Sequence, residues 1–264
     1  MLYLQAIFLG IVQGITEFLP ISSSGHLVIF QKIFGFSKPP IAFDVLVHLG
    51  TVFSLLIFLR KNIKDFLKGF FLELRKKKRG KNVNLLVFLI IGTIPIVLLG
   101  LLLKEKIDII FNSLSLLGIS FLVTSIILFL TQKTKEKKNK FLDSKKDAFF
   151  IGIFQALAIL PGVSRSGSTI SAGLYRGIKK EEAFNFSFFL GIIAILGATI
   201  IQIPEINNFN NSEILNGILG FLFAAFFGFI ALRILKPIVL KGKFHYFGVY
   251  CMVLGFICII LSLI

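Results

Sequence analysis

The chain of 264 residues is 56% hydrophobic, holds 32 phenylalanines and has a mean hydropathy of +0.90, whereas ordinary soluble domains are about 45–50% apolar. This excludes a soluble enzyme and specifies an integral membrane protein, with room for roughly six to nine helices in one domain at about 20 apolar residues per crossing. The formal charge of +16 would suggest nucleic acid in a soluble protein, but the basic residues fall in short connections between apolar runs, where they orient the chain and meet anionic lipid, so nucleic-acid binding is excluded.

The first apolar stretch, Leu2 to Leu19, lacks the basic leader and small-residue cleavage site of a signal peptide and is expected to belong to the mature fold. It runs into Pro20 and the cluster Ser22, Ser23, Ser24, Gly25, followed by a short second apolar piece. Six longer runs follow, each long enough to cross: about Ile41 to Leu59, Leu85 to Leu103, Leu114 to Leu130, Ala183 to Ile203, Ile214 to Leu235 and Phe244 to Leu263. Between the third and fourth, Ala148 to Leu160 again meets a proline and a serine–glycine cluster. Irregular backbone at membrane depth is tolerated only where protein or a water-filled cavity satisfies it, which predicts two re-entrant helical hairpins. Cys251 and Cys258 both lie in the last run, so neither a disulfide framework nor a cysteine metal site is expected.

Charge placement orients this scheme. Lys and Arg number ten in Arg60 to Lys81, seven in Lys133 to Lys146, three in Arg176 to Lys180 and four in Arg233 to Lys243. The other connections hold only Lys32, Lys38, Lys104 and Lys106, and Arg165 stands within the second hairpin. Placing the rich group in the cytoplasm gives 24 basic residues inside against 4 outside. The first hairpin then enters from outside, the second from inside, and the C-terminus is outside.

An internal repeat agrees. At an offset of 142, QGITEFLPISSSGH from Gln13 faces QALAILPGVSRSGS from Gln155; at 141, AFDVLVHLG from Ala42 faces AFNFSFFLG from Ala183. Each half is one hairpin plus three crossings, and three is odd, so the second copy is inverted relative to the first, with broken helices meeting near the midplane. The expected fold is all-α and polytopic: a single membrane domain of six transmembrane helices, two re-entrant hairpins and an inverted repeat. Its halves, about 1–130 and 148–264, are joined by a basic cytoplasmic loop, 131–147.

Gln13 and Glu17 are four apart and share one helix face, on a helix that must end near Leu19 because Pro20 follows. The serines and Gly25 form a turn from which His26 to Phe34 starts a short helix; Ser164, Arg165, Ser166 and Gly167 precede another, Ser168 to Tyr175. Helix N-termini with free N–H groups and hydroxyls are anion sites. Small residues also serve plain helix packing, His26 could be a hydrogen-bonded interface residue, and Glu17 and Arg165 could be a structural pair. A charge at membrane depth costs at least about 2.5–3.5 kcal/mol, which favours a role for both. His48 and His245 read as structural, His48 being the nearer to the site. One carboxylate, one histidine, one arginine and about six hydroxyls on two facing helix ends suit phosphoryl chemistry. An anion carrier uses the same helix ends.

The two motifs QGITEFLPISSSGH and PGVSRSG, from Pro161 to Gly167, closely resemble those of the undecaprenyl-diphosphate phosphatase family, the bacitracin-resistance type, over essentially the whole chain. The resemblance implies hydrolysis of undecaprenyl diphosphate to the monophosphate, which recycles the lipid carrier for peptidoglycan, in a bacterial plasma membrane with the site open to the outer face. By position Glu17 is the second acidic residue of the first motif, Ser23 the nucleophile, His26 its proton partner or rival nucleophile, and Arg165 the phosphate clamp. Ser22, Ser24, Gly25, Ser164, Ser166 and Gly167 would hold the substrate. The implied cofactor is Mg2+ or Ca2+ at Glu17, with Gln13 auxiliary, because Gln13 stands where many relatives have glutamate and an amide brings no charge. Expected partners are the polyprenyl diphosphate lipid, the membrane and, as one option, a second copy in a homodimer. The alternative is a flippase for polyprenyl phosphate or another anionic lipid. The other class of lipid-phosphate phosphatase needs a later histidine with an aspartate four residues on, and His245 is followed by Val249 at that spacing.

Overall fold

A computed structural model describes residues 2–36, 41–77, 80–103, 107–134, 142–202 and 211–263. Lys38, Lys104 and Lys106 of the expected outer connections, Ile203 and 135–141 of the basic loop lie outside the described residues. Among the described residues the α-helices are, in order, α1 (Tyr3–Phe18), α2 (Ser23–Ile33), α3 (Ile41–Phe58), α4 (Arg60–Arg75), α5 (Lys81–Leu103), α6 (Ile107–Asn112), α7 (Leu114–Leu130), α8 (Lys145–Leu157), α9 (Arg165–Tyr175), α10 (Lys180–Gln202), α11 (Asn211–Leu240) and α12 (Phe247–Leu261). Among the described residues there is no strand. The fold is all-α, as the composition requires of a chain that must satisfy its backbone within the bilayer.

Five of these helices, α5, α7, α10, α11 and α12, are long and apolar enough to cross a membrane. The bent pair α3 and α4, which meet at 73°, makes a sixth candidate. The sequence placed the end of the fifth run at Leu235; α11 continues to Leu240 through Pro237. The short helices start earlier than expected. Helix α2 begins at Ser23 rather than His26, and α9 at Arg165 rather than Ser168, because Ser22 and Ser164 cap them by accepting from the N–H groups of Gly25 and Gly167.

Helix α1 is broken from α2 at Leu19, where the backbone turns extended ahead of Pro20, and α8 from α9 around Pro161. Each broken pair is anchored by backbone-to-backbone approach onto a long helix of the other half. Gly10 faces Gly220, where a Cβ would lie 2.6 Å from the carbonyl oxygen, and Gly152 faces Gly92 at the same 2.6 Å. Small residues at such crossings let helices approach where lipid offers no hydrophobic drive. A third crossing, α7 on α12, brings Gly118 and Gly255 together in the same way. The largest buried cluster takes Phe18, Leu55 and Leu128 from the first half and Phe184, Phe188, Leu190 and Leu232 from the second. Phe18 meets Phe188 edge to face at 5.6 Å.

These crossings predict a sharp steric test. Gly152→Val and Gly10→Val should each lower the thermal unfolding temperature in detergent by several degrees, as an overpacking cost of about 1–3 kcal/mol implies. Gly197→Ala, on α10 with open space around it, should leave the temperature unchanged; circular dichroism melts make the comparison.

Candidate active site

The last turn of α1 carries Gln13 and Glu17, both buried, and Ser23 opens α2 just beyond the break. Ser22 sits between them at φ 65°, in the left-handed region, which turns the chain sharply enough to aim Ser23 back at α1. On the other side Gly162, at φ 96°, turns the chain into the cap Ser164 and then Arg165. The two tips interlock through hydrogen bonds. Gly162 N–H donates to Ser22 Oγ at 3.1 Å, while Thr124 of α7 donates to Gly162 O at 2.8 Å and accepts from Ser164 N–H at 3.0 Å.

Glu17 is the centre of the arrangement. Its Oε1 accepts from Arg165 Nη2 at 2.7 Å. Its Oε2 accepts from Ser23 Oγ at 2.5 Å and from Gln13 Nε2 at 3.1 Å, and lies 3.9 Å from His48 Nε2. The guanidinium of Arg165 lies over Gly191 of α10, where a Cβ would come 2.1 Å from Nη1, and its Cζ is 6.0 Å from the Phe188 ring. Nη1 is buried with no acceptor among the described residues. One nitrogen of the fork thus holds the carboxylate, while the other packs over Gly191 without a protein acceptor among the described residues.

A cavity of about 320 Å3 opens at this cluster. Glu17, Ser22, Ser23, Ser24, Ser164 and Arg165 line it, so the structure brings together most of the polar residues that the sequence singled out. Ser166, Gly25 and Gly167 serve the caps: Ser166 Oγ is 3.3 Å from Ser164 Oγ, and the two glycine N–H groups donate to the capping serines. His26 points elsewhere. Its Nδ1 donates to Ser22 O at 2.7 Å, since a carbonyl only accepts, and its Nε2 accepts from Tyr250 OH at 2.7 Å. Tyr250 stacks on its ring at 5.7 Å.

Five contributors lay outside the sequence reading, Thr124 of α7 among them. Asp44 and Gln31 line the cavity and are joined by Gln31 Nε2 donating to Asp44 Oδ1 at 2.8 Å. Tyr250, 224 residues from His26, and Gly191 beneath Arg165 are the others. His48, read as structural, lines the cavity, with its Nδ1 fixed by Asp44 O at 2.6 Å and its Nε2 turned inward. The i to i+4 spacing of Asp44 and His48 on one helix face was the available signal.

The interlocked serine–glycine tips are what a family comparison must account for, and residues 6–257 match the family described as "Bacitracin resistance protein BacA". The chain belongs to the BacA family. Relatives named "Undecaprenyl-diphosphatase" agree over nearly their whole length. The protein of Carboxydothermus hydrogenoformans is 42% identical, with 98% of this chain and 97% of that one covered. That of Methanosphaera stadtmanae is 38% identical over 99% and 98%, and that of Thermosipho melanesiensis 40% identical over 97% and 98%. In this BacA-family chain the structure places the two serine–glycine tips against each other.

The buried pair makes a thermodynamic prediction. Arg165→Met leaves Glu17 buried without its cation and should destabilise the protein by about 3–5 kcal/mol. Adding Glu17→Gln to that variant should recover much of the loss, because the orphaned charge is gone. Thermal unfolding of the two singles and the double in detergent closes the cycle.

Proposed function

We propose that the chain hydrolyses undecaprenyl diphosphate to undecaprenyl monophosphate and inorganic phosphate, recycling the lipid carrier for envelope synthesis in a bacterial plasma membrane. The observation that carries this reading is the serine hydroxyl held at 2.5 Å by a carboxylate that an arginine fixes from its other oxygen. A hydroxyl and its base in contact have a use in phosphoryl transfer and none in carrying an intact lipid across, which favours hydrolysis over a flippase. The relatives' shared name supports the same substrate.

In the proposed reaction the terminal phosphorus sits over Ser23, and Arg165 Nη1 donates to one of its oxygens. Ser23 Oγ attacks, its proton passes to Glu17 Oε2, and the bond to the bridging oxygen breaks to release the lipid monophosphate. Glu17 passes that proton to the departing lipid monophosphate; water then attacks the phosphoserine and gives one proton to Glu17, which returns it to Ser23 Oγ as the Oγ–P bond breaks and inorganic phosphate leaves. Arg165 and the N–H groups at the start of α2 and α9 stabilise the developing charge. Ser23 is supported as nucleophile over His26 because both nitrogens of His26 are engaged by Ser22 and Tyr250. His26 then acts by holding the backbone of Ser22, the residue that turns Ser23 toward the base. All these groups come from one chain, so the chemistry is independent of a homodimer.

A divalent cation belongs to the proposal. Gln13 turns its Nε2 to Glu17 and leaves its buried Oε1 without a partner, a hard oxygen of the kind Mg2+ and Ca2+ accept. Among the described residues no cluster of three His, Cys, Asp or Glu could hold a metal by itself. Glu17 would be the protein carboxylate that holds such an ion and Gln13 an auxiliary ligand, and the ion would supply charge neutralisation for the diphosphate.

The finer topology is also proposed: six crossings, two re-entrant hairpins, an inverted repeat and a site open to the outer face. Helices α1 and α8, at 16 and 13 residues, are short of a crossing. The glycine contacts exchange under the repeat. Gly10 and Gly152 are 142 apart, and the partner of each, Gly220 or Gly92, lies on the second long helix of the other half.

Purified protein in detergent with Mg2+ should release phosphate from undecaprenyl or farnesyl diphosphate. Ser23→Ala and Glu17→Gln should each reduce the rate by about 10²–10⁴-fold; full release by either variant, or none by the parent, sinks the assignment. Gly191→Ala should displace the guanidinium of Arg165, cost about 10²-fold or more in rate and lower the melting temperature as well, because the atoms it strikes include the Nη2 that neutralises buried Glu17.

A further inference from the structure

None of the 16 residues of helix α4 is buried. It leaves α3 at Leu59 through a 73° bend, so a steeply crossing α3 puts α4 close to the membrane plane. Two contacts fix it there. Glu73 closes the start of α5 by accepting from Val83 N–H at 2.9 Å, from Asn82 N–H at 3.1 Å and from Asn82 Nδ2 at 2.6 Å. Phe66 packs on Phe189 of α10 at 5.9 Å.

With that face held, the spacing divides the rest. Leu67, Phe71 and Leu74, three and four residues apart, share a side and are exposed by 45%, 64% and 52%. Lys61, Lys64, Lys68 and Arg75 share the adjoining side, at spacings of three, four and seven. Arg60, Lys76 and Lys77 flank the helix, and among the described residues none of these seven cations pairs with a carboxylate. Leu72 lies opposite the exposed apolar side, four residues from Lys68 and seven from Asp65.

We propose that α4 is a docked interfacial helix that binds the anionic phospholipid surface of one leaflet, with Leu67, Phe71 and Leu74 in the acyl-chain boundary and the basic side on headgroup phosphates. An apolar side next to a cationic one is the pattern of helices lying in the interface. Unpaired cations in such number choose anionic over zwitterionic headgroups, since each is worth up to roughly fivefold in attraction at the surface. Because Glu73 and Phe66 fix the helix to α5 and α10, bound lipid would brace the protein from its rim. The inference rests on the geometry of α4 and stands apart from the proposed reaction.

The chain has no tryptophan, so Phe71→Trp gives a single tryptophan in the full-length protein, excited selectively at the red edge of the aromatic absorption. It is reconstituted into phosphatidylcholine vesicles containing phosphatidylglycerol, with one or the other lipid brominated on its acyl chains. Emission from Phe71→Trp should be blue-shifted and quenched at least about threefold more by the brominated anionic lipid. Adding K61Q, K64Q, K68Q and R75Q should bring the ratio close to one. Leu72→Trp should emit as in water and resist quenching. The proposal is overturned if Phe71→Trp is quenched by neither lipid, as when protein or water covers that side, if the two lipids quench it equally with all charges in place, or if Leu72→Trp is quenched as strongly as Phe71→Trp.

Discussion

The contact between Glu17 and Arg165 is the constraint on which the rest of the structure turns. It joins residues 148 apart at 2.7 Å, in a setting where a charge alone costs several kcal/mol. Neither charge can be held at depth without the other, so the two broken helices must meet. Their meeting in turn requires that α1 and α8 be pressed onto α11 and α5, which the facing glycines permit. The tips are then closed by Ser22, Gly162, Thr124 and Ser164, whose polar groups have protein partners in place of water.

Much of this was legible because its causes are local. Length and apolarity mark the long helices; Pro20 and Pro161 stop helices where the next residues are serine and glycine; a charge within an apolar run announces a partner. The match between SSSG and SRSG made the meeting of the tips readable as well. What could not be read depends on long-range packing. Tyr250 against His26, Gly191 under Arg165 and Thr124 bridging two backbone segments leave no trace at the spacing of one helix. Asp44 and His48 did leave one, a shared helix face, but the run around them is so apolar that they resembled packed residues.

The boundaries of α2 and α9 show why a one-turn difference matters. Starting α2 at His26 would leave Ser23 in the turn, free to point anywhere. Capping by Ser22 draws Ser23 into the helix, and α9 gains Arg165 by the same device. The proposed nucleophile Ser23 and clamp Arg165 are therefore the first residues of their helices, where backbone N–H groups are unspent and the positive end of the helix dipole lies.

Aligned at 142, Ser23 and Arg165 occupy the same position of the two motifs, and in space they reach the two oxygens of one carboxylate. Their neighbours in the alignment have diverged: Glu17 faces Ile159 and His26 faces Ser168, while Asp44 faces Asn185 and His48 faces Phe189 at 141. Gln13 and Gln155 have not, and each keeps a buried amide oxygen without a partner. Two equal halves would each bring a hydroxyl to the shared position and leave the carboxylate unneutralised. Replacing one of the pair by arginine supplies the counter-charge, and losing the carboxylate from the other half leaves a single ion pair where two would repel. On the proposed reading the divergence of a few side chains between the two motifs is what turns a meeting of helix ends into a site with one nucleophile, one base and one clamp. It also explains why Gln13 can stay neutral: Glu17 is already held by three donors, and a second carboxylate four residues away on the same helix face would have no cation of its own within the protein.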